Sequence, residues 1–248
     1  MASFKRSIKK GIISLIPNSI IKFIQKEYLN EHKYYSYQNL SFAQEGEDMI
    51  LSRLFEDVKN GYYIDVGAHH PIRFSNTYKF YLKGWCGINI DAMPNSMREF
   101  QKIRPRDLNL EIPVSDNEEI LEFYIFNEKT LNTFSKDQVE ISKTYGNYDV
   151  TEIVELKPVT LGTILSKYLP ESTIIDFMSV DVEGYDLNVL KSNDWALYRP
   201  KVVLVEILRS SFSNLSENLV YQFLQMQGYE MIAKSFNTIF FRDIIENE

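Results

Sequence analysis

Gly67 and Asp91 each follow or close an apolar run, and together they have the makings of a nucleoside site. A glycine behind a strand lets the backbone approach a ligand, and an acid at the end of the next strand can accept both ribose hydroxyls. Further along, Asp181 and Glu183 in SVDVEGYD terminate a strongly apolar run. Carboxylates placed there can take up a proton, and strand alternation puts both on one side. The alternative is that one of them caps the following helix or pairs with a lysine. His69 and His70 are further candidates for proton removal, with His70 the stronger, because imidazole titrates near neutrality; both could equally serve to shape their loop. Asp181 with Glu206, joined by a histidine, would offer oxygen ligands to Mg²⁺, although no tight ligand cluster is visible and a divalent metal is not expected.

The elements that must position these residues follow from periodicity. A helix is expected from Phe42, with Ser41 as its cap and Met49, Ile50, Leu54 and Phe55 on one face. YYIDV (Tyr62 to Val66) reads as a buried strand and GAHHPIRFS as the loop behind it. Ser75 can cap a helix from Asn76 to Lys83. GINIDA is the second strand, the segment from Pro94 the second helix, and LNLEIPV the third strand. ILEFYIF from Ile120 alternates like a half-buried strand, and the polar stretch behind it reads as part of an insertion over the site, about 117–150. TEIVELKPV, the run from Thr173 and KVVLVEIL are further strands, with helices from Thr160 and Asn218. YEMIAK and NTIFFRD form a closing antiparallel hairpin with Asn237 in the turn. Apolar strands separated by helices imply a parallel sheet covered on both faces, with ligands beyond the carboxyl ends of its strands.

The turn behind YYIDV is not a dinucleotide fingerprint, because the later glycine positions of G-x-G-x-x-G hold His69 and Ile72. An adenosyl group without a pyrophosphate suits it better. A nicotinamide-dependent oxidoreductase on a Rossmann-like fold is the alternative, and the absence of any Tyr-x-x-x-Lys pair removes one common arrangement for it.

The motifs FAQEGEDMIL, YIDVGAHHP, SNTYKFYLKGWCGINIDAMP, TLGTIL and MSVDVEGYDLNVL, in that order between Phe42 and Ile207, resemble the FkbM-type family of S-adenosylmethionine-dependent methyltransferases. The resemblance implies an α/β, Rossmann-like class I methyltransferase fold, with a seven-stranded, mostly parallel sheet and an antiparallel last strand. It also implies O-methylation of a sugar or sugar-containing molecule, such as a surface polysaccharide or natural-product glycoside. Carried over by position, Asp65, Gly67 and Ala68 would form the cofactor turn and Asp91 would hold the ribose. Ala92 and Met93 would flank the adenine, with Val114, Ser115 and Asp116 on its other side. Gln44 would reach the methionine end, and Ser75 and Asn76 would meet its carboxylate at a helix start, unless Ser75 is simply a cap.

Composition bounds the rest. The 248 residues are 44% hydrophobic and 25% charged, enough for one α/β domain with an appendage. A net charge of -7 argues against a nucleic-acid-tracking surface. A single cysteine, Cys86, excludes an internal disulfide framework and points to a reducing, cytoplasmic setting. Residues 1–33 carry seven Lys or Arg against two Glu, so a basic amphipathic arm (1–36) precedes the methyltransferase domain (37–248). The arm is too interrupted to span a bilayer. It either packs as short helices on the domain or on a partner subunit of a homo-oligomer, or rests on the inner face of an anionic membrane. The acceptor is expected to be a sugar, nucleotide-sugar or glycan. Tyr124, Phe126, Phe134 and Tyr145 in the insertion are candidate stacking rings.

Overall fold

Successive residues of a strand face opposite sides of a sheet, and in the computed structural model, which describes residues 38–208 and 210–245, both sides are covered. The expected basic arm lies outside the described residues. In chain order the elements are α1 (Glu47–Leu54), β1 (Tyr62–Val66), α2 (Tyr78–Leu82), β2 (Cys86–Asp91), α3 (Met97–Ile103), β3 (Leu108–Glu111), β4 (Leu121–Phe126) and α4 (Lys136–Lys143). They continue with β5 (Val150–Leu156), α5 (Leu161–Tyr168), β6 (Phe177–Val180), α6 (Asp186–Lys191), β7 (Val202–Glu206), α7 (Leu219–Met226), β8 (Tyr229–Ser235) and β9 (Thr238–Asp243). Among the described residues no helix is long and apolar enough to cross a membrane.

Seven strands form one sheet in the order β3-β2-β1-β6-β7-β9-β8. The first five are mutually parallel, and β9 runs antiparallel to both β7 and β8. Strand order reverses between β1 and β6, which is where such sheets bind ligands.

Alternation sorts the strand residues into two cores. Ile64, Val66, Met178, Val180, Val203, Val205, Ile239 and Phe241 pack on one face with Leu161 and Ile164 of α5, Val189 of α6 and Leu224 of α7. Tyr63, Phe177, Val202, Leu204 and Phe240, each one residue out of step, pack on the other with Leu51 of α1 and Phe80 of α2. Each such buried aliphatic side chain stabilises the fold by about 1.5–3 kcal/mol.

Three expectations need correction. The helix from Phe42 starts only at Glu47, because Gly46 breaks it with a left-handed φ of 78°. Ser41 does not cap it but donates to Asp48. TEIVELKPV is a strand as expected, and as β5 it pairs antiparallel with β4 in a two-stranded sheet apart from the main one. Its residues are too polar on both sides for a strand covered twice. The run from Thr173 is a strand only from Phe177, since the segment before it docks through Asp176, which accepts from the Tyr62 N–H at 2.9 Å and pairs with Lys201.

A buried polar knot holds the strands' amino-terminal side. The fully buried Arg104 donates to Asp107 at 2.7 Å and to the Tyr63 hydroxyl at 2.8 Å, while Asp107 also accepts from the Gly87 N–H and the Asn89 amide. A guanidinium and a carboxylate are tolerated there because every charged group has partners.

Candidate active site

Beyond the carboxyl ends of the strands lies a cavity of about 490 Å³, within the range of small-molecule sites. The β1 turn forms one wall. Gly67 N–H and Ala68 N–H both donate to the Ile90 carbonyl, which draws the turn across the end of β2. Gly67 has φ +84°, and a Cβ on it would lie 1.8 Å from the Asp181 carbonyl oxygen. Only glycine satisfies both the angle and the approach. Gly67→Ala is therefore expected to cost about 2–3 kcal/mol, lowering Tm by roughly 6–10 °C in a thermal melt. An unchanged Tm would show that the turn can retreat from β6.

Asp91 closes β2 with its carboxylate turned back over that turn, accepting from His69 N–H at 2.9 Å and Met93 N–H at 2.7 Å. A carboxylate has about four acceptor positions, so these bonds fix its orientation and leave capacity for two hydroxyls. Burial pushes its pKa up, against the pull of those N–H donors.

The opposite end of the cavity is acidic. Asp181 and Glu183 follow β6, and Glu206 ends β7; their carboxylate oxygens lie within 4.8 Å of one another. Parallel pairing causes this, for Val180 stands opposite Val205 and the next step on each strand is an acid. None of the three pairs with a Lys, Arg or His among the described residues. Enclosure in the site pushes all three pKa values up; next comes the Glu206 charge for Asp181, the Asp181 and Glu206 charges for Glu183, and the Asp186 charge for Glu206. Asp181 is open to the cavity, whose water moderates that shift. Asp186, the first residue of α6, accepts from Val182 N–H and Gly184 N–H, both at 3.1 Å, and so fastens the loop in front of the helix. This leaves Asp181 and Glu183 to the cavity. An all-oxygen trio of this kind could hold Mg²⁺ or Ca²⁺.

The lead-in to α1 forms a third wall. Glu47 is buried, accepting from Thr238 at 3.0 Å and from Glu45 N–H at 2.8 Å, and Ser235 donates to the Glu45 carbonyl. These bonds fasten the segment carrying Gln44 to the β8–β9 turn, and Gln44 lines the cavity.

Of the residues marked from sequence, Gln44, Gly67, Asn76, Asp91, Ala92 and Met93 line the cavity, as do Asp181, Glu183, Glu206 and His70. Asp65, Ala68, Ser75, Val114, Ser115 and Asp116 do not. Asp65 is buried behind the turn, accepting from Thr77 at 2.7 Å, and burial raises its pKa to about 6. Ala68 packs on Met97 and Phe100. Ser75 accepts from Thr77 N–H at 3.3 Å and Tyr78 N–H at 3.0 Å in front of α2, whose cap position is Thr77, so the expected helix from Asn76 begins two residues later, at Tyr78. After β3 the chain turns away: Val114 pairs with Val159, Ser115 meets Tyr185, and Asp116 accepts from Asn188.

His70 is engaged in its own loop. Its Nδ1 accepts from Ile72 N–H and Arg73 N–H, and its Nε2 lies 3.6 Å from Glu99. A ring whose acceptor nitrogen is already used shapes the turn rather than removing a proton. His69 also lines the cavity, and burial lowers its pKa, keeping the ring neutral.

The insertion contributes Phe134, which packs on Phe123 and Tyr185 and lines the cavity. Tyr124 and Phe126 instead form the insertion's own core with Val139, and Tyr145 is exposed outside the lining. Sequence reasoning did not find Phe74, Phe123 or Phe236, all of which line the cavity.

This strand order with a nucleoside-sized cavity at the switch point defines the Rossmann-like, class I methyltransferase fold. The family profile described as methyltransferase FkbM domain matches residues 65–231. The chain belongs to the FkbM methyltransferase family, and S-adenosylmethionine is the cofactor that membership implies. Among curated proteins no relative matches significantly. Similar solved structures include a candidate RNA methyltransferase from Pyrococcus horikoshii, at 9% identity and TM-score 0.43, covering 81% of this chain and 83% of that one. A TehB-like SAM-dependent methyltransferase from Corynebacterium glutamicum has 9% identity and TM-score 0.41, covering 88% and 97%.

The residues present suit that cofactor. Asp91 keeps acceptor capacity for a ribose, and Gly67 brings the backbone to the cavity wall.

Proposed function

We propose that the chain is an O-methyltransferase acting on a hydroxyl of a sugar, nucleotide-sugar or glycan. The observation that supports this best is the carboxylate trio at the ends of β6 and β7, without a cationic partner among the described residues and in the same cavity as Asp91. When bound, S-adenosylmethionine supplies a methyl group already activated on a sulfonium. The protein then has to align the acceptor oxygen and accept its proton, contributions of several kcal/mol and about 10²–10⁴-fold respectively. Asp181, open to the cavity, orients the acceptor hydroxyl and takes that proton, with Glu183 beside it. Glu206 shares the proton within the trio.

The reading is tested by incubating the protein with labelled S-adenosylmethionine and a panel of methyl hexopyranosides, nucleotide-activated sugars and oligosaccharides, then locating the methyl by mass spectrometry. The expected product carries it on a sugar oxygen. Label on a nitrogen, or on none of the panel, removes the reading. In the same assay NADH should leave S-adenosylhomocysteine binding undisturbed, and competition between them would favour a nicotinamide enzyme.

A further inference from the structure

Among the described residues, six other than glycine have positive φ, and five of them line the cavity: His69, Phe74, Asn95, Glu183 and Phe236. Backbone strain of this kind persists where function requires it and gathers at ligand sites. Phe236 is the least accountable by folding alone. It opens the two-residue turn between β8 and β9, where Ser235 pairs with Thr238, and it has φ +47°. Such a turn favours Gly, Asn or Asp at a positive-φ position, and a bulky ring there is an outlier. Its side chain is 71% exposed, so little packing within the fold offsets the strain. Phe74, at φ +58° and 41% exposed, repeats the pattern on the β1 side, with the Arg73 guanidinium 4.3 Å from its ring centre.

Topology accounts for the place of Phe236. Because β9 is antiparallel to both neighbours, β8 runs parallel to β7, and its end lies on the same sheet edge as Glu206. Both rings line the cavity whose floor holds the carboxylate trio.

We infer that Phe236 and Phe74 are acceptor-binding residues, two rings held in strained backbone to stack on the apolar C–H face of a sugar ring while its hydroxyl meets Asp181. This rests on the sugar-hydroxyl reading above and adds the residues that recognise the sugar. The ring faces supply the binding and the carboxylates supply the orientation.

The test uses the full chain as wild type, Phe236→Gly, Phe236→Tyr and Phe74→Asn, with labelled S-adenosylmethionine and the methyl hexopyranosides and nucleotide sugars of the panel. Phe236→Gly should raise KM for the methylated sugar about tenfold, with kcat and S-adenosylhomocysteine affinity within about twofold of wild type. Its Tm should rise by about 2–4 °C, since glycine relieves the left-handed strain. Phe236→Tyr should keep the wild-type KM, and Phe74→Asn should raise it. A wild-type KM in Phe236→Gly, or a fall in its Tm, overturns the inference while leaving the sugar reading intact. A wild type that methylates no member of the panel removes that reading, and the inference with it.

Discussion

Asp91→Ala is expected to weaken S-adenosylhomocysteine binding by at least about a hundredfold in a calorimetric titration, because two charge-assisted hydrogen bonds at about 1.5–3 kcal/mol each are lost. The substitution also releases His69 N–H and Met93 N–H, so the turn that carries the ribose partner loosens at the same time. Asp91→Asn separates the two effects. It keeps the size and one acceptor oxygen, so the turn stays closer to its native shape while ribose recognition falls. A melting curve on each variant confirms that the fold persists. Full-strength binding by Asp91→Ala would remove the ribose assignment and move the nucleoside elsewhere in the cavity.

Asp181→Asn should keep cofactor affinity and lose about 10²–10⁴-fold in turnover, the usual contribution of a positioned base. It should also change how stability depends on pH. Enclosure in the site and then the Glu206 charge raise the Asp181 pKa to about 8, with Glu206 at about 7 and Glu183 at about 10. Carboxyl groups in an unfolded chain titrate near 4, so the native trio binds protons more tightly than the unfolded chain does. The neutral trio imposes no penalty at low pH, and stability is lost from about pH 4 upward, the loss being complete once pH has passed about 7 to 10. Wild-type Tm should therefore decline over that window, modestly because cavity water screens Asp181, and Asp181→Asn should flatten the decline. Unchanged turnover in Asp181→Asn would transfer the role to Glu183. A wild-type Tm that climbs with pH would mean the trio is already neutralised by a bound cation.

Much of the architecture is legible in the chain. Strand-length apolar runs separated by helical ones require a doubly covered parallel sheet, and the carboxyl ends of β1, β2, β6 and β7 are where the cavity lies. Thr160 and Asn218 cap α5 and α7 as their residue types predict. The helix start at Glu47 was not legible because Gly46 overrides the apolar periodicity of the preceding residues. Val114, Ser115 and Asp116 follow a strand as expected, yet the chain behind β3 leaves for Val159 and α6, a path set by tertiary contacts.

The sequence by itself determined the fold class, the family resemblance and the local chemistry around Gly67 and Asp91, because those depend on neighbours within one βαβ unit. Sequence reasoning pairs Asp181 with Glu206; tertiary structure decided that Glu183 and not a histidine completes the cluster, since the register of β7 on β6 brings these carboxylates together. It alone decided that His70 spends its acceptor nitrogen on its own loop. It also brought Phe236 to a cavity whose other walls are formed by residues far earlier in the chain. Local periodicity carries no information about which strand lies beside which, and pairwise contact across a sheet is what assembles the site.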